Sequence, residues 1–511
     1  MAAHLTTGIP PRLLMWQRVR AYAVPPSMIG TATARRAVGD WAGACAAARV
    51  DVDLDLRAVR DRHGTDVLTR LRADLRRLAP DLLRWHMPRA APDGRLRPGL
   101  TILLARYATS GLPLELVVRT PPVWASAGQR MALAVREGPA RFGAGTPPGP
   151  PPHRNPYRNP YRNPYRRPGP HPHPHPDRRF RLDLHRHLWD AARSPELALR
   201  CGAAAVPPGA DSPWADSTWA VSRWAEEAEL LCEAEGRPRG AFTVRLGGGR
   251  AAVLELFAPD DSHAPAFRPV AGEPSPRDVA ALPVLPEAAA RVLPDLELLR
   301  AGLAVPGELH PLVAGRLAPY AADPGSYAGG RGGPVPVAGA ASSPGDPHRV
   351  ECRGEVHRIA LRDGVLTAVD HDPAELRREE LLVALGGPAL PCLRAIDRAH
   401  RTPEALPAVR ERLRHGDVAA ALAVVEGLLG PRAVLRDGPL REEWEEAAVG
   451  RIGQGLFRSG LVDRHPAAAG REAPGTARAT PAYRPRPGRG IPRDMTRKQG
   501  SRGRPRTGQF R

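Results

Sequence analysis

A proline-rich stretch at residues 138–178 limits what this chain can fold into more than any other feature. It contains PPGPPPH, three tandem copies of NPYR and the run HPHPHP. Proline fixes φ and lacks a backbone donor, so this composition favours extended polyproline conformations and cannot build a packed core. The sequence therefore predicts a disordered insertion between ordered segments.

The C-terminal residues 466–511 form a second segment with predicted disorder. Residues 471–511 carry eleven Arg and one Lys against two acids, and residues 151–181 carry eight Arg against one Asp. These two stretches hold most of the net charge of +20, so the rest of the 511 residues is close to neutral. With 42% apolar residues in the chain, that remainder is able to bury ordinary cores.

Apolar periodicity predicts an α+β protein with N-terminal helical hairpins, an antiparallel meander, β-hairpins, a C-terminal helical region and two disordered basic segments. The expected organisation is a poorly ordered N-terminus at 1–26, helical hairpins plus β-meander at 27–137, the disordered insertion at 138–178, a helix plus β-hairpin at 179–258, an Ala/Pro/Gly-rich linker with weak helices at 259–348, a β-hairpin plus helices at 349–465, and the disordered Arg-rich tail at 466–511.

Individual elements are predicted from turn residues and changes of period. The expected strands are 100–107, 114–120, 129–136, a short strand at 180–184, and the hairpins 241–246 with 250–257 and 355–361 with 365–369. The expected helices include 55–63, 66–79, 213–235, 373–385, 404–429 and 440–459.

One local pattern occurs twice. VGDWAGACAAA at 38–48 and HGDVAAALAVV at 415–425 share Gly-Asp followed by apolar residues at matching helical offsets. Each predicts a turn between two antiparallel helices, similar to the hairpins of tetratricopeptide-like repeats. Two copies so far apart do not make a repeat array.

The five cysteines, Cys45, Cys201, Cys232, Cys352 and Cys392, are scattered and never spaced as CxxC. The spacing indicates neither a disulfide framework nor a zinc finger, and it is typical of reduced thiols in a cytosol. No segment approaches 18 consecutive apolar residues. We therefore expect a cytoplasmic protein with no membrane partner, no cofactor and no metal.

Several clusters imitate known sites. Asp51, Asp53 and Asp55 in DVDLDL resemble the start of a calcium loop, but Leu56 and Arg62 stand where such a loop needs Gly and Glu, which favours a turn with solvated acids. A histidine group offers imidazole ligands, but its members in HPHPHP point in different directions along an extended chain, which favours weak, adventitious metal binding. That group is His153, His171, His173, His175, His185 and His187.

Two acid–base clusters, Asp370-His371-Asp372 and Asp260-Asp261-Ser262-His263, are candidates for catalysis, although cap and turn roles explain both. Gly247-Gly248-Gly249 lies between two predicted strands, which favours a hairpin turn over a phosphate cradle. Trp214, Trp219 and Trp224 are five residues apart, so they cannot share one helix face, and two are expected in the core.

Two basic segments are candidates for nucleic-acid contact. The NPYR repeat interleaves rings and cations, which suits single strands, but replication slippage explains it more simply. The tail carries enough cations to neutralise several phosphates. The predicted nucleic-acid contacts are Arg484, Arg486, Arg489, Arg493, Arg497, Lys498, Arg502, Arg504 and Arg506.

Three stretches, VPPSMIGTATARRAVGDWAGACAAARVDVDLDL, APDLLRWHMPR at 79–89 and DHDPAELRREELLVALGG at 370–387, resemble a group of uncharacterised actinobacterial proteins. The resemblance covers under a quarter of the chain. It implies a bacterial cytoplasmic setting and carries over no activity, cofactor or site residue.

These observations lead to a noncatalytic protein-interaction or scaffold role with unknown protein partners as the first hypothesis. The alternatives are a nucleic-acid-associated protein that binds through the tail, and an enzyme whose site is assembled from distant segments.

Overall fold

The computed structural model describes residues 9–138, 175–205, 218–237, 240–247, 250–257, 264–270, 272, 274–321 and 348–459. These residues form an α+β arrangement of helices and small sheets, as the sequence predicts. The NPYR repeat and the basic tail lie outside the described residues. Among the described helices, none is both long enough and apolar enough to cross a membrane.

Residues 9–138 pack helices against a four-stranded sheet. The elements are α1 Pro11–Tyr22, α2 Pro26–Ala37, α3 Trp41–Ala47, β1 Val50–Asp53, α4 Leu56–Arg77, α5 Pro80–His86, β2 Arg89–Ala90, β3 Arg95–Leu96, β4 Thr101–Tyr107, β5 Leu114–Arg119 and β6 Met131–Glu137. The predicted helical hairpin and meander are confirmed, since α2 packs on α3 and β4, β5 and β6 pair antiparallel. The sheet order is β1-β6-β5-β4, with β1 parallel to β6.

Two predictions for this part are wrong. DVDLDL is not a turn between helices, because residues 50–53 form β1 and Val50 is buried opposite Met131 of β6. The N-terminal residues 11–22 are not poorly ordered, because α1 buries Met15 and Val19 in the main apolar core.

Residues 175–321 add a three-stranded sheet and short helices. The elements are α6 Leu197–Arg200, α7 Trp224–Ala234, β7 Gly240–Gly247, β8 Arg250–Phe257, β9 Ala266–Pro269, α8 Pro276–Ala281, α9 Glu287–Ala290, α10 Pro294–Arg300 and α11 Pro311–Leu317. The predicted hairpin is confirmed as β7 and β8, and β9 extends it.

Three predictions for this part need correction. No strand covers 180–184, because successive turns bend the backbone there and a single bridge joins Arg181 to Leu103. The expected helix 213–235 begins at Trp224, since Trp219 bridges to Arg291 and residues 213–217 lie outside the described set. Residues 294–317 are not linker, because α10 and α11 bury leucines in the main core.

Residues 348–459 form a three-stranded sheet followed by helices. The elements are β10 His348–Cys352, β11 Glu355–Arg362, β12 Val365–Ala368, α12 Pro373–Ala384, α13 Pro391–Arg401, α14 Leu406–Arg414, α15 Val418–Leu429 and α16 Pro439–Ser459. The predicted hairpin is confirmed as β11 and β12, and β10 pairs with the other edge of β11. Asp372 caps α12 as expected, by accepting from the backbone N–H of Ala374.

The two Gly-Asp turns are confirmed as matching structures. Gly39 and Gly416 adopt φ values of 78° and 80°, and the following Asp40 and Asp417 are the N-caps of α3 and α15. In both, the aspartate accepts from the backbone N–H three residues later. Arg49 joins the second turn to the first part of the chain, since it donates to the His415 carbonyl at 2.8 Å and pairs with Asp417 at 3.3 Å.

A buried charged pair connects three helices of the main core. Arg20 of α1 contacts Asp295 of α10 at 2.6 Å, and both side chains are at most 4% exposed. Trp85 of α5 donates its indole N–H to the second Asp295 oxygen at 2.9 Å, and Arg20 donates to the Trp85 carbonyl at 2.7 Å. Both carboxylate oxygens are therefore hydrogen-bonded, which offsets the cost of burying the charges.

Asp295→Ala should lower the free energy of unfolding by ~3–5 kcal/mol, because it leaves the Arg20 charge buried without its partner. Urea titration followed by tryptophan fluorescence measures this. Asp61→Ala is the control, since Asp61 forms an exposed pair with Arg60 and should cost less than ~1 kcal/mol. Equal losses in the two variants would contradict the role assigned to Asp295.

His415 should make the fold acid-sensitive. Its side chain is 0% exposed, and burial together with Arg89 and Arg84 lowers its pKa from 6.5 to about 2. As the pH falls, His415 is protonated in the unfolded chain before it is protonated in the folded chain. Its contribution to the free energy of unfolding is therefore complete above pH 6.5 and falls as the pH drops toward 2.

For this one group, the loss at pH 5 relative to pH 7.5 should be ~2 kcal/mol. Urea titrations of the wild type and of His415→Gln at both pH values test it. The variant should lose ~2 kcal/mol less on acidification than the wild type does. An identical loss in both proteins would show that His415 does not carry the effect.

Candidate functional site

A cavity of about 720 Å³ lies between α1, the segment that follows α5, the loop at 179–182, the β7–β8 hairpin and the start of α10. Its wall is unusually cationic, and Glu287 is the one carboxylate among the described lining residues. Ten lining side chains are arginines: Arg12, Arg18, Arg20, Arg89, Arg97, Arg179, Arg181, Arg245, Arg250 and Arg291. We call this space the arginine-lined cavity.

The fold brings these arginines together from distant parts of the chain. α1 supplies Arg12, Arg18 and Arg20. Arg89 is the first residue of β2, which follows the end of α5. Arg245 and Arg250 lie on either side of the β7–β8 turn, where Gly247 pairs with Arg250. Gly247 has a φ of 89°, which turns the backbone at the cavity rim.

Several of the cations are already paired with carboxylates. Arg179 forms a two-pronged contact with Asp177, and Arg181 contacts both Asp183 and Glu235. Arg12 contacts Glu297 at 2.7 Å, while Arg20 holds Asp295. These pairs stiffen the wall and leave the remaining cations to determine what the cavity binds.

Four arginines have no carboxylate within ion-pair distance among the described residues, although Arg245 is near enough to Asp177 to help lower the pKa of that carboxyl. They are Arg18, Arg89, Arg245 and Arg250. Arg18 donates to the Pro92 carbonyl at 3.2 Å. Arg245 and Arg250 are exposed at the rim. The unmatched charge is therefore spread from the cavity floor to its opening.

Arg89 is the most informative of the four. Its residue is 8% exposed, and one Nη donates to the Arg84 carbonyl at 2.7 Å. Its Nε and other Nη are buried and have no hydrogen-bond partner. Burial and then the neighbouring Arg20 lower the pKa of Arg89 to about 9, so the cation is held at a cost. Buried donors left open in this way mark a place where an anion fits.

A neutral imidazole and apolar side chains complete the wall. His86 Nε2 is buried without a hydrogen-bond partner, and burial, Arg20 and His310 lower the pKa of His86 well below its usual value. Trp16, Phe180 and Leu182 supply apolar surface. The cavity is therefore suited to a ligand with an anionic group and an apolar or aromatic part.

The acids of DVDLDL are held by the protein's own groups. Asp51 pairs with Arg130 at 2.5 Å, Asp53 pairs with Arg458 at 2.7 Å, and Asp55 caps α4 by accepting from the Ala58 N–H. The arginine neighbours make this an ion-pair network on the face of β1 instead of a set of solvated acids.

The described histidines of the predicted group have separate environments. His185 contacts the buried Glu227 at 3.1 Å, and its ring lies 5.8 Å from that of His187. Burial raises the pKa of Glu227, but hydrogen bonds from His185 and Arg200 outweigh burial and hold it below the usual range. His175 lies 3.0 Å from Arg136 at the end of β6. His153, His171 and His173 lie outside the described residues.

In the Asp370-His371-Asp372 cluster, one acid forms an ion pair, the other caps a helix, and the histidine ring is buried. Asp370 pairs with Arg358 at 2.6 Å, and Asp372 caps α12. The His371 side chain is 5% exposed and lies beside Cys352 and Cys392, a neighbourhood that the spacing of the cysteines does not indicate. The Asp260-Asp261-Ser262-His263 cluster and the tail cations predicted to contact nucleic acid lie outside the described residues.

The described tryptophans of the predicted trio belong to a core. The Trp219 and Trp224 rings meet edge to face at 6.2 Å and are 8% and 0% exposed. Trp214, Gly248 and Gly249 lie outside the described residues. Gly247 is part of the hairpin turn, as predicted.

Sequence reasoning missed the arginine-lined cavity. Its members extend from position 12 to position 291, and all but one of the 74 basic residues in the chain are arginine. Local arginine density therefore gives no signal. The short APDLLRWHMPR stretch supplies His86 and Arg89, and the basic stretch 151–181 ends in Arg179 and Arg181, so these two sequence features contain part of the wall.

Arg89→Met should raise the free energy of unfolding by ~1 kcal/mol in anion-free buffer, because it removes a buried cation with two open donors. Thermal and urea unfolding measure the change. Arg377→Met, on the exposed face of α12, should shift stability by less than ~0.5 kcal/mol. A loss of stability in Arg89→Met would indicate that Arg89 supports the fold instead of awaiting a ligand.

Comparison with known proteins does not assign a function to this site. No protein-family model, curated protein or solved structure matches the chain. Function is therefore inferred from the side chains that line the arginine-lined cavity.

Proposed function

We propose that this protein binds a small organic anion of the phosphate-ester class, with two or more negative charges and an apolar or aromatic part, in the arginine-lined cavity. The observation that carries the proposal is Arg89, whose two open donors are buried in a wall where Arg18, Arg245 and Arg250 also lack carboxylate partners among the described residues.

Guanidinium groups suit phosphate because their paired N–H donors match two of its oxygens. A divalent or polyvalent anion would make contact with Arg89 at depth and with Arg245 and Arg250 at the rim. Each such contact replaces a solvated or unpaired cation with a charge-assisted hydrogen bond.

The size and remaining lining favour an organic ligand over a simple ion. The volume of about 720 Å³ lies within the ~300–1,000 Å³ range typical of small-molecule sites. Trp16 and Phe180 give the wall aromatic surface, with Arg20 over the Trp16 ring and Arg97 and Arg179 over the Phe180 ring. The His86 nitrogen offers one neutral hydrogen-bonding group. A nucleotide combines these features of charge, ring and size.

Binding is proposed in preference to turnover. The described lining supplies cations for holding charge, whereas Glu287, its one carboxylate, lies 4.0 Å from Arg97. The scaffold role and nucleic-acid binding through the tail, both predicted from the sequence, remain predictions because they depend on partners or on residues outside the described set.

Isothermal titration of the full-length chain with ATP and with inorganic pyrophosphate, at one fixed salt concentration, tests the proposal. Arg245→Ala/Arg250→Ala should weaken ATP binding ~10- to 100-fold, since two charge-assisted contacts are lost. Arg377→Ala/Arg378→Ala is the matched control, because it removes the same charge from exposed positions on α12 and should leave the affinity unchanged.

Both variants retain the basic tail, so any binding by the tail is equal in the two proteins. A chain ending at residue 470 should bind ATP as the full chain does. Equal affinity in the two double variants, or loss of binding on removal of the tail, would overturn the proposal. Tighter binding of ATP than of pyrophosphate is expected from the aromatic wall, and the reverse order would restrict the ligand class to inorganic anions.

A further inference from the structure

A second cluster, independent of the arginine-lined cavity, lies where the β10–β12 sheet meets α13. One ligand atom each from Cys352, His371 and Cys392 lies within 4.8 Å of the other two. It is the one group of metal-ligating type found among the described residues. We refer to these three residues as the Cys2His cluster.

Each member is held by a different element. Cys352 ends β10, just before a tight turn in which Arg353 and Gly354 adopt φ values of 57° and 85°. His371 follows β12, and Cys392 is the second residue of α13. Strand pairing of β10 to β11 and of β11 to β12 brings these points to one end of the sheet, and α13 closes over it.

The cluster is buried, and one nitrogen of its imidazole is unsatisfied. The two cysteines are 1% and 0% exposed, and the His371 side chain is 5% exposed. His371 Nε2 is buried with no hydrogen-bond partner. The other ring nitrogen, Nδ1, lies 3.9 Å from Glu375, so Nε2 is the buried atom left open, which is costly unless it binds something.

The chemistry of the donors selects the metal class. Two thiolates and an imidazole are ligands of Zn²⁺, and tetrahedral coordination places sulfur atoms ~3.8 Å apart because a Zn–S bond is ~2.3 Å. The donor atoms are already inside 4.8 Å, so closing on an ion requires only small side-chain movements.

His357 supports the arrangement from the next strand. Its ring stacks on His371 with centroids 4.0 Å apart and an interplanar angle of 15°. Its Nδ1 is buried without a hydrogen-bond partner. This stacking fixes the plane of the His371 ring. The three ligands leave the fourth tetrahedral position to water or another donor.

We propose that Cys352, His371 and Cys392 bind one Zn²⁺ ion, with His357 as a positioning residue. Binding replaces the two thiol protons by the metal, and the protons go to solvent. The ion joins β10, the end of β12 and α13, so it stabilises residues 348–401 as a unit.

The first measurement is elemental analysis of untagged full-length protein purified with a reducing agent, which should contain about one zinc per chain. Cys392→Ser and His371→Ala should lose this zinc. Cys232→Ser, a change of a buried cysteine in α7, should retain it.

Cobalt substitution identifies the ligands. Thiolate-bound tetrahedral Co²⁺ should give a near-ultraviolet charge-transfer band and intense visible bands, which are absent in Cys392→Ser. His357→Ala should keep the bands and weaken the affinity ~10-fold, as expected for loss of a supporting contact. His171→Ala/His173→Ala should retain both bands, because histidines alone give no thiolate charge transfer.

Chelation of the wild type provides a readout that needs no variant. Removing the metal should lower the thermal midpoint, and adding Zn²⁺ should restore it. Absence of the thiolate band, or zinc contents that match in Cys392→Ser and Cys232→Ser, would each overturn the proposal.

Discussion

The carboxylate of Asp295 is the point on which the first half of the structure depends. A buried charge pair needs every oxygen satisfied, and Asp295 achieves this with Arg20 on one oxygen and Trp85 on the other. The requirement sets α1, α5 and α10 against one another. Because Arg20 also lines the arginine-lined cavity, the same pair that orders the core also fixes one side of the cavity wall.

The cavity follows from this packing together with the position of the β7–β8 hairpin. Residues paired with carboxylates form the frame, while Arg89 and the rim cations keep unused donors. An unpaired buried cation destabilises a fold, so Arg89 carries a cost that a bound anion would offset. His86, neutral beside Arg20, fits the same description of a wall arranged around negative charge.

Much of the secondary structure could be predicted from local patterns. LTILLARY and QRMALAVR have the short apolar pattern of strands, and the structure has strands at both. Asp372-Pro373 has the pattern of a helix start, and α12 begins there. The alternation in VDVDLD is also typical of a strand. However, β1 pairs with β6 some eighty residues away, and the sequence near residue 50 does not indicate that partner. The prediction of a linker with weak helices at 259–348 was wrong at 294–317, where leucines of α10 and α11 are buried in the main core although Pro and Ala dominate the composition. Residues 322–347 lie outside the described set.

The candidate sites were beyond local reasoning for the same reason. Cys352, His371 and Cys392 are each about twenty residues from the next, and only sheet pairing plus the closure of α13 makes them neighbours. Clusters of arginine in the sequence do not indicate the cavity either, because nearly all basic residues of the chain are arginine. The sequence singled out His371 because Asp370 and Asp372 flank it. Asp370 instead pairs with Arg358 and Asp372 caps α12, while Cys352 and Cys392 lie beside His371.

The contact between Arg136 and His175 has a consequence for how this chain can change. It places the residues that precede and follow the NPYR region 3.0 Å apart at their side chains, and the Asp177 N–H bonds the Thr101 carbonyl directly afterwards. When the two stems of a loop meet, lengthening the loop costs only ~0.6 kcal/mol per doubling. The packed body therefore sets little thermodynamic limit on the number of residues between Arg136 and His175.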